Sequence, residues 1–530
     1  MKAIKNIMIA LSGIALLASC DMDKFFELDR PESNPWLSVD DLEYSVADPY
    51  NTLFQNPNWQ APIGIIPYYQ ELVADLSTVN PQGAYEQEAL YWYPRQMSTF
   101  DVTGQQFEKT FSILYRSVTG ATSPLTYIEE KEKKGEPVFA NMTENDKKTL
   151  ARQTGELYFM RGYTYWLISR AFVAPYDPAG GEGNNRKFIP LINRLDYSQE
   201  SARNPYMGTV KEVYDQMLSD FAKAKSLMPE DYFVRGRANK FSAAMMLMRV
   251  KWLMGDKDGA LEEADYVITK AEAGVAPFDL TEEPIVAFNR NAEQQYTVDP
   301  VSKEVMFECA FTESNQGNNV AIPLARMCKT GIYNFKSKTF DASNKLWLEG
   351  ARGSQNWQHG GWACAYWNPR LIKYIGWAVT DDPMDLTNYV PSAEALADKR
   401  FTQLHYFLKN YTDGGDKTIH EMAYNKTKWN AFWNDKYYRA PYGKYSQVPL
   451  IRLAEAYLTR ATLVLSKNAS QALGDVNKIR QRAGLTPLKN VTEADIEKER
   501  IKEFGFENGD RLLYLVAMQK TIDGQKRNPG

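Results

Sequence analysis

The chain has little of what cofactor-carrying enzymes display. Its 530 residues include only four cysteines and three histidines. Cys20, Cys309, Cys328 and Cys364 form no CxxC step. With Cys20 set aside as discussed below, three remain, so at most one disulfide is expected and the core has to hold the fold. His359, His405 and His420 show no HExxH or comparable spacing, so no zinc site is expected. No P-loop, nucleophile elbow or dinucleotide fingerprint occurs. The net charge of −4 with no compensating basic patch argues against a dedicated nucleic-acid binder. Long apolar runs are also missing. The one at the N-terminus, Ile7 to Leu17, is shorter than the roughly 20 residues of a membrane-spanning helix. A mean hydropathy of −0.48 excludes a polytopic membrane protein.

That short run is nevertheless informative. Lys2 and Lys5 precede it and the small residues Ala18 and Ser19 follow, which is the layout of a secretory signal. Leu17-Ala18-Ser19-Cys20 resembles a bacterial lipobox, and the resemblance implies cleavage after residue 19 and acylation of Cys20. An ordinary signal peptide that happens to contain a cysteine is the alternative. Several acyl chains, each CH₂ contributing about 0.8 kcal/mol, would hold a soluble body to a bilayer. Loss of Lys2 and Lys5 takes the formal charge from −4 to −6. Asp21 and Asp23, just beyond the anchor, are similar to export signals of surface lipoproteins in Bacteroidetes-type bacteria.

Beyond the tether, assigned to 20–41, helical periodicity dominates. A helix is expected near 42–56, its start limited or its axis kinked by Pro49. Residues 57–103 read as an aromatic loop with five prolines, and a long helix is expected over 104–131. Leu150, Leu157, Met160, Arg161, Tyr165 and Ile168 repeat at helical spacing within 146–173. Thr209 and Glu212 form a capping box ahead of a stripe from Val210 to Leu227. A Met- and Ala-rich helix over 238–254 stops at Gly255, and 257–273 reads as its partner. Near the C-terminus one stripe runs from Leu450 to Ala461 and another from Ala472 to Ala483, ending at Gly484. Helix pairs of this length suggest degenerate tetratricopeptide-like hairpins. Residues 275–445 are rich in Gly, Asn, Asp, Trp and Tyr and weak in stripes. They read as an irregular insertion between a scaffold portion at 42–274 and its completion at 446–530.

Several phrases in this order resemble the SusD/RagB lipoproteins. They are GELYFMRGYTYWLISRAF from Gly155 with FIPLI at 188–192, then TVKEVYDQMLSDFAKAKSLMP, GRANKFSAAMMLMRVKWLMGD and EVMFECAF from Glu304. VPLIRLAEAYLTRATLVL, ALGDVNKIRQRAGL and IEKERIKEFGFENGDRLLYL close the series. Asn508-Gly509-Asp510-Arg511 and the LLYLV ending depart from the usual pattern. The resemblance implies a mainly α, SusD-like helical scaffold with a large loop-rich insertion. It also implies a surface lipoprotein of the outer membrane that binds oligosaccharide or polysaccharide and delivers it to a SusC-like TonB-dependent transporter. It implies no enzyme activity, and no cofactor or metal is expected.

Among candidate functional residues, Glu499, Glu503 and Glu507 recur on one helix face with Arg500 and Arg511 nearby. The spacing admits acid–base chemistry, but the favoured reading is an ion-pair network that locks the last helices, as for Arg452 and Glu455. Asp381, Asp382 and Asp385 read as a solvated loop rather than a Ca²⁺ site. Aromatic residues make up 13% of the chain, and those outside helical stripes are the ligand candidates. Sugar rings offer apolar C–H faces to Trp and Tyr, while hydroxyls need planar polar partners. Trp92 and Tyr91 in YWYPR, with Arg95 and Asp75, form one candidate group; for Trp92 the stacking role is carried over from the family. Trp357 and Trp362 in NWQHGGWACAYWNPR form a second, with one of the tryptophans 357, 362 and 367 expected in the core. The polar loop at Asn315, Gln316, Asn318 and Asn319 supplies hydrogen-bonding groups, Asn319 chief among them. A peptide-binding member of the family, a lipid-anchored glycoside hydrolase and a protein-interaction scaffold are the competing readings.

Overall fold

The computed structural model describes residues 36–54, 61–79, 105–196, 198–288, 302–310, 365–379, 390–411, 429–434, 436–437 and 447–522, and the pairs 340–341, 346–347 and 525–526. Its chief helices before the insertion are α1 (Val39–Phe54), α2 (Pro62–Val73), α3 (Gln105–Lys133), α4 (Glu144–Phe172), α5 (Val210–Leu227), α6 (Lys240–Leu253) and α7 (Lys257–Glu272). Within and after it come α8 (Pro369–Tyr374), α9 (Lys399–Leu404), α10 (Leu453–Val464), α11 (Ala469–Arg482), α12 (Glu493–Phe504) and α13 (Asp510–Ala517). The strands are β1 (Ser77–Val79), β2 (Lys187–Pro190), β3 (Met207–Thr209), β4 (Val305–Ala310), β5 (Ala365–Trp367), β6 (His405–Tyr411), β7 (Trp429–Asn434) and β8 (Gln447–Arg452).

Local chemistry sets the helix ends. Thr209 and Glu212 close the expected capping box, the Glu212 N–H donating to Thr209 Oγ1 (3.2 Å) and the Thr209 N–H to Glu212 Oε2 (2.8 Å). Thr143 with Asp146 and Thr492 with Asp495 repeat it at α4 and α12. Gly255 and Gly484 end α6 and α11 at φ +83° and +78°, the left-handed region that suits glycine. Each helix then packs on its successor. α1 lies on α3, α3 on α4, α4 on α5, α5 on α6, α6 on α7, and α10 on both α7 and α11. Where α4 crosses α5, Gly155 and Gly162 leave room for Met228 and Phe221. Phe307 of β4 enters the same core, ringed by Tyr50, Phe54, Phe159 and Tyr163 at 5.0–6.4 Å. The chain is mainly α and loop-rich, as its periodicity implied.

Three local expectations are corrected. Helix α1 begins at Val39 and runs through Pro49, whose ring is buried. The segment 57–103 contains α2. Every residue from Pro62 to Leu72 is buried, so no polar face marks the helix in sequence. Pro62, near its start, forfeits an N–H that has no intrahelical partner there. Finally, Leu450 belongs to β8, and the helix starts at Leu453. Val448, Pro449 and Ile451 disfavour a helical turn, and their backbone pairs with β4 instead.

That pairing matters to the architecture. β4 and β8 are antiparallel, with Ala310 opposite Gln447 and Val305 opposite Arg452. The chain therefore leaves the stack after α7 and returns before α10 through one two-stranded neck, and α10 docks on α7 across the gap.

A buried charge network fastens this neck. Arg452, at the end of β8, donates Nη1 to Glu304 and to Glu503 Oε1 (2.9 Å), and Nε to Glu507 Oε2 (2.9 Å). Arg482 of α11 binds Glu304 and Glu503. Lys436 donates Nζ to Glu507 Oε1 and to the Glu503 carbonyl, both at 2.6 Å. Arg400 pairs with Asp398 (2.8 Å) and Glu499 (2.7 Å), and Glu499 also meets Arg480 (2.5 Å) and Lys502 (3.4 Å). Glu394 closes the set on Lys502 and Arg480. Six cations thus face six carboxylates, and only Glu394 is more than 7% exposed. Burial by itself would raise the Glu503 carboxyl, but Arg482, Arg452 and Arg400 outweigh it and hold it far below the usual carboxylate range. The same competition, decided by Arg400, Lys502 and Arg480, brings Glu499 down to about 2.

Removing one member of a buried network strands its partners. Arg452→Met leaves Glu304, Glu503 and Glu507 each short of a cation, and a loss of about 3–5 kcal/mol is expected. Urea unfolding measures it; a loss below about 1 kcal/mol would show that the network does not hold the neck. The acid limb follows from Glu499, whose folded pKa lies below its ordinary value. Its contribution is complete above about pH 4.5 and is lost as pH falls toward about 2. Unfolding midpoints should fall across that window in the wild type, and Glu499→Gln, already weaker at pH 7, should lose less over it.

Candidate functional site

A short antiparallel ladder joins the chain ahead of the first aromatic segment to the end of the second. Ser77 of β1 lies opposite Trp367 of β5, Thr78 opposite Tyr366, and Val79 opposite Ala365. The next residues extend the clasp. The Asn368 N–H donates to the Leu76 carbonyl (2.9 Å), and Asn368 Nδ2 to the Asp75 carbonyl (2.8 Å). Because the strands are antiparallel, the chain leaves β1 at Val79 and enters β5 at Ala365 at the same end of the ladder. Trp362 precedes Ala365 by three residues, within about 10 Å along the chain. Tyr91 follows Val79 by twelve, within about 40 Å.

The ladder stands on an aromatic base. Trp367 is fully buried, the core tryptophan expected of its segment, with Trp377, His405, Phe432 and Phe506 around it at 5.1–5.9 Å. Its six-membered ring lies against Gly505, at the end of α12, where any Cβ would overlap it. The neighbouring side chain, Tyr366, contacts Trp433 of β7 at 5.6 Å. The turn from α12 to α13 that supports this base passes through Phe506, Asn508 and Gly509, all at positive φ. Asn508 Nδ2 ties it to the neck through the Pro449 and Leu450 carbonyls, 3.2 Å each. Asn508 and Gly509 thus form the left-handed corner of this turn.

Of the residues offered as ligand partners, Asp75 lies among the described ones. Its carboxylate accepts two bonds from Arg511, Nε to Oδ1 (2.6 Å) and Nη2 to Oδ2 (2.8 Å), and its side chain is 21% exposed. Both oxygens are therefore engaged in joining the turn after α2 to α13. Arg511 also holds Glu497 at 2.6 Å. Cys20, Tyr91, Trp92, Arg95, Asn319, Trp357 and Trp362 lie outside the described residues, as do Asp381, Asp382 and Asp385.

The carboxylates that suggested acid–base chemistry are placed elsewhere. Glu499, Glu503 and Glu507 are at most 2% exposed and bound to cations, and Arg500 grips Asp510 while Glu455 holds Arg249. Missed in the sequence were Arg400, Lys436 and Glu304, because each meets its partner from 71 to 178 residues away. A separate cleft of about 550 Å³ opens between α5, α6 and α7, lined by Leu218, Leu247, Lys225, Lys251, Glu263 and Tyr266 among others. Two of its lysines are held in place: Lys225 and Lys251 both bind Glu263, at 2.6 and 2.9 Å. Among the described residues, no group of His, Cys, Asp and Glu is arranged to hold a metal ion.

Comparison with known proteins places this arrangement. Residues 56–251 match the SusD-like family described as starch-binding, associating with the outer membrane, and residues 303–511 match the SusD family. The SusD-like protein P2 of Formosa agariphila is 25% identical over 373 residues, 68% of this chain and 62% of that protein's length. The starch-binding protein SusD of Bacteroides thetaiotaomicron is 43% identical over 72 residues, 13% of each. Among solved structures, a putative sugar binding protein from Bacteroides vulgatus superposes with a TM-score of 0.62 at 19% identity, covering 92% of this chain and 88% of that one. The surface glycan-binding protein A of Bacteroides uniformis gives 0.60 at 16% identity, covering 92% and 90%. At these identities the structural likeness shows the fold. The first match ends before the neck and the second spans both of its strands, and with the ordered phrases of the sequence they make the chain a member of the SusD/RagB family.

Proposed function

We propose that this protein is a glycan-binding lipoprotein of the outer-membrane surface. It is anchored through Cys20, captures oligosaccharide or polysaccharide on the aromatic loops beyond β1 and before β5, and passes it to a SusC-like TonB-dependent transporter. The observation that carries the reading is the β1–β5 ladder. It starts the segment bearing Tyr91, Trp92 and Arg95 and ends the segment bearing Trp357 and Trp362 at one edge, over a rigid aromatic base. Family membership and the names of relatives, a starch-binding protein and a surface glycan-binding protein, agree with it.

In this reading the indole rings supply flat apolar area to the C–H faces of pyranose rings. Arg95 and Asn319 supply hydrogen bonds to hydroxyls, while Asp75 acts through Arg511 to fix the base of the ladder. Shallow stacking leaves much of the sugar hydrated, so single sites bind weakly and the transporter completes the working unit. Catalysis is not part of the proposal. A glycosidase acid needs a raised pKa and access to the glycosidic oxygen, whereas the prominent carboxylate row is buried and Glu499 is lowered to about 2.

Calorimetry and affinity electrophoresis of residues 21–530 against polysaccharides and peptides test it. Binding to a glycan without cleavage is expected, with Trp92→Ala and Trp357→Ala each weakening it about tenfold, or about 1.4 kcal/mol. Released product would assign a hydrolase. Binding to peptides alone would replace the glycan class. Full affinity in both variants would move the site away from these loops.

A further inference from the structure

The connection between α5 and α6 meets the neck strand β4 at two points. Asn239 Nδ2 donates to the Met306 carbonyl at 2.7 Å, and Arg235 Nε donates to Glu308 Oε1 at 2.6 Å. The first contact is neutral and buried. The second joins a carboxylate whose side chain is 3% exposed to a guanidinium that is 24% exposed. Glu308 differs from other deep carboxylates of this fold in how it is met. Glu304, just ahead of β4, gives one oxygen to Arg452 and the other to Arg482, and Glu499 takes Arg400, Arg480 and Lys502. Glu308 has one cation on one oxygen, and its Oε2 is buried with no hydrogen-bond donor among the described residues. The other charges near it are engaged elsewhere. Arg237 of the same connection binds Glu43 and Glu156, and Lys240, at the start of α6, lines the cleft against α5 and α7. Pro449 stands opposite Glu308 in the ladder, and the adjoining Cys309 is a fully buried thiol that burial pushes up and keeps neutral.

We propose that Arg235 and Glu308 form a pH-dependent latch between this connection and the neck, closed while Glu308 is ionised and open once it takes a proton. A buried carboxylate with an unmet oxygen is costly, and a single ion pair offsets only part of that cost. Protonation removes the cost by removing the charge. It also leaves Arg235 without its counterion, and that guanidinium, already a quarter exposed, turns to water. Glu308 is fixed in the β4–β8 ladder and stays buried in either state, so Arg235 draws its proton off and ionisation, reciprocally, draws Arg235 in. Asn239 remains bonded to Met306 throughout, and the connection pivots about that end. Burial pushes the Glu308 carboxyl up to about 7 against the pull of Arg235, which sets the change near neutral pH. With a folded pKa above its ordinary 4.5, Glu308 contributes most to stability below about pH 4.5, and that contribution is lost as pH rises through about 7. Because the chain leaves the scaffold along β4, the latch acts at the entrance to the insertion.

Amide hydrogen exchange of the full chain between pH 5 and 9, corrected for the intrinsic pH dependence of exchange, tests the latch. In the wild type, protection of residues 228–239 is expected to rise severalfold with pH, with a midpoint near 7. Glu308→Gln should hold the low protection of the open state at every pH, and Arg235→Gln should lose the rise as well. Urea midpoints give a second readout: from pH 5 to pH 8 the wild type should lose more than Glu308→Gln. A flat wild-type profile, or a rise that persists in Glu308→Gln, would overturn the latch, as would equal losses in urea. Should Glu308→Gln fail to fold, Arg235→Gln decides alone, since its side chain reaches solvent, and an undiminished rise there overturns the proposal.

Discussion

Arg452 is the residue on which most of this structure converges. Its guanidinium closes the neck of the insertion by reaching Glu304 at the base of β4, and it binds Glu503 and Glu507 from the C-terminal helical turn. Three stretches of chain, near residues 304, 452 and 503, are held by one planar cation. Such a group is not interchangeable with lysine, because the fork fixes several carboxylates at defined angles. Charges taken out of water cost several kcal/mol apiece unless each is met. Here six cations answer six carboxylates, so the network tolerates one arrangement of its surrounding elements and penalises the rest.

The consequence for the candidate site lies in what stands on that network. α12 ends at Gly505, against which Trp367 packs, and the turn that follows reaches back to β8 through Asn508. Trp367 in turn fixes β5, which pairs with β1. The position from which both aromatic segments depart is therefore set by buried charge two contacts away. Asp75 belongs to the same construction: by engaging Arg511 it joins the turn after α2 to the first turn of α13. A ligand site carried on loops needs such a base, since loop residues have few buried contacts of their own.

Much of the scaffold was legible because its signals are local. Thr209 with Glu212, Gly255 and Gly484 mark helix ends within a few residues, and the stripes of α5 and α11 follow from 3.6-residue periodicity. The structural reading of Glu499, Glu503 and Glu507 was also available, since three glutamates on one helix face need cations. What failed was non-local or without contrast. α2 is buried on every side, so no stripe separates it from an apolar loop. Leu450 fits a helical stripe as well as a strand, and only the pairing of β8 with β4, some 140 residues distant, decides between them. Glu304, Arg400 and Lys436 carry no mark in sequence that they meet the C-terminal glutamates.

The same distinction bears on how far a sequence can diverge under one fold. The neck and the charge network leave little latitude, because substituting one member strands several others among buried side chains. Only 16–19% of residues are shared with chains whose backbones superpose over nine-tenths of this one. A fold held by helix caps, close glycine crossings and a buried ion network can accept that divergence, since those devices involve a small fraction of positions.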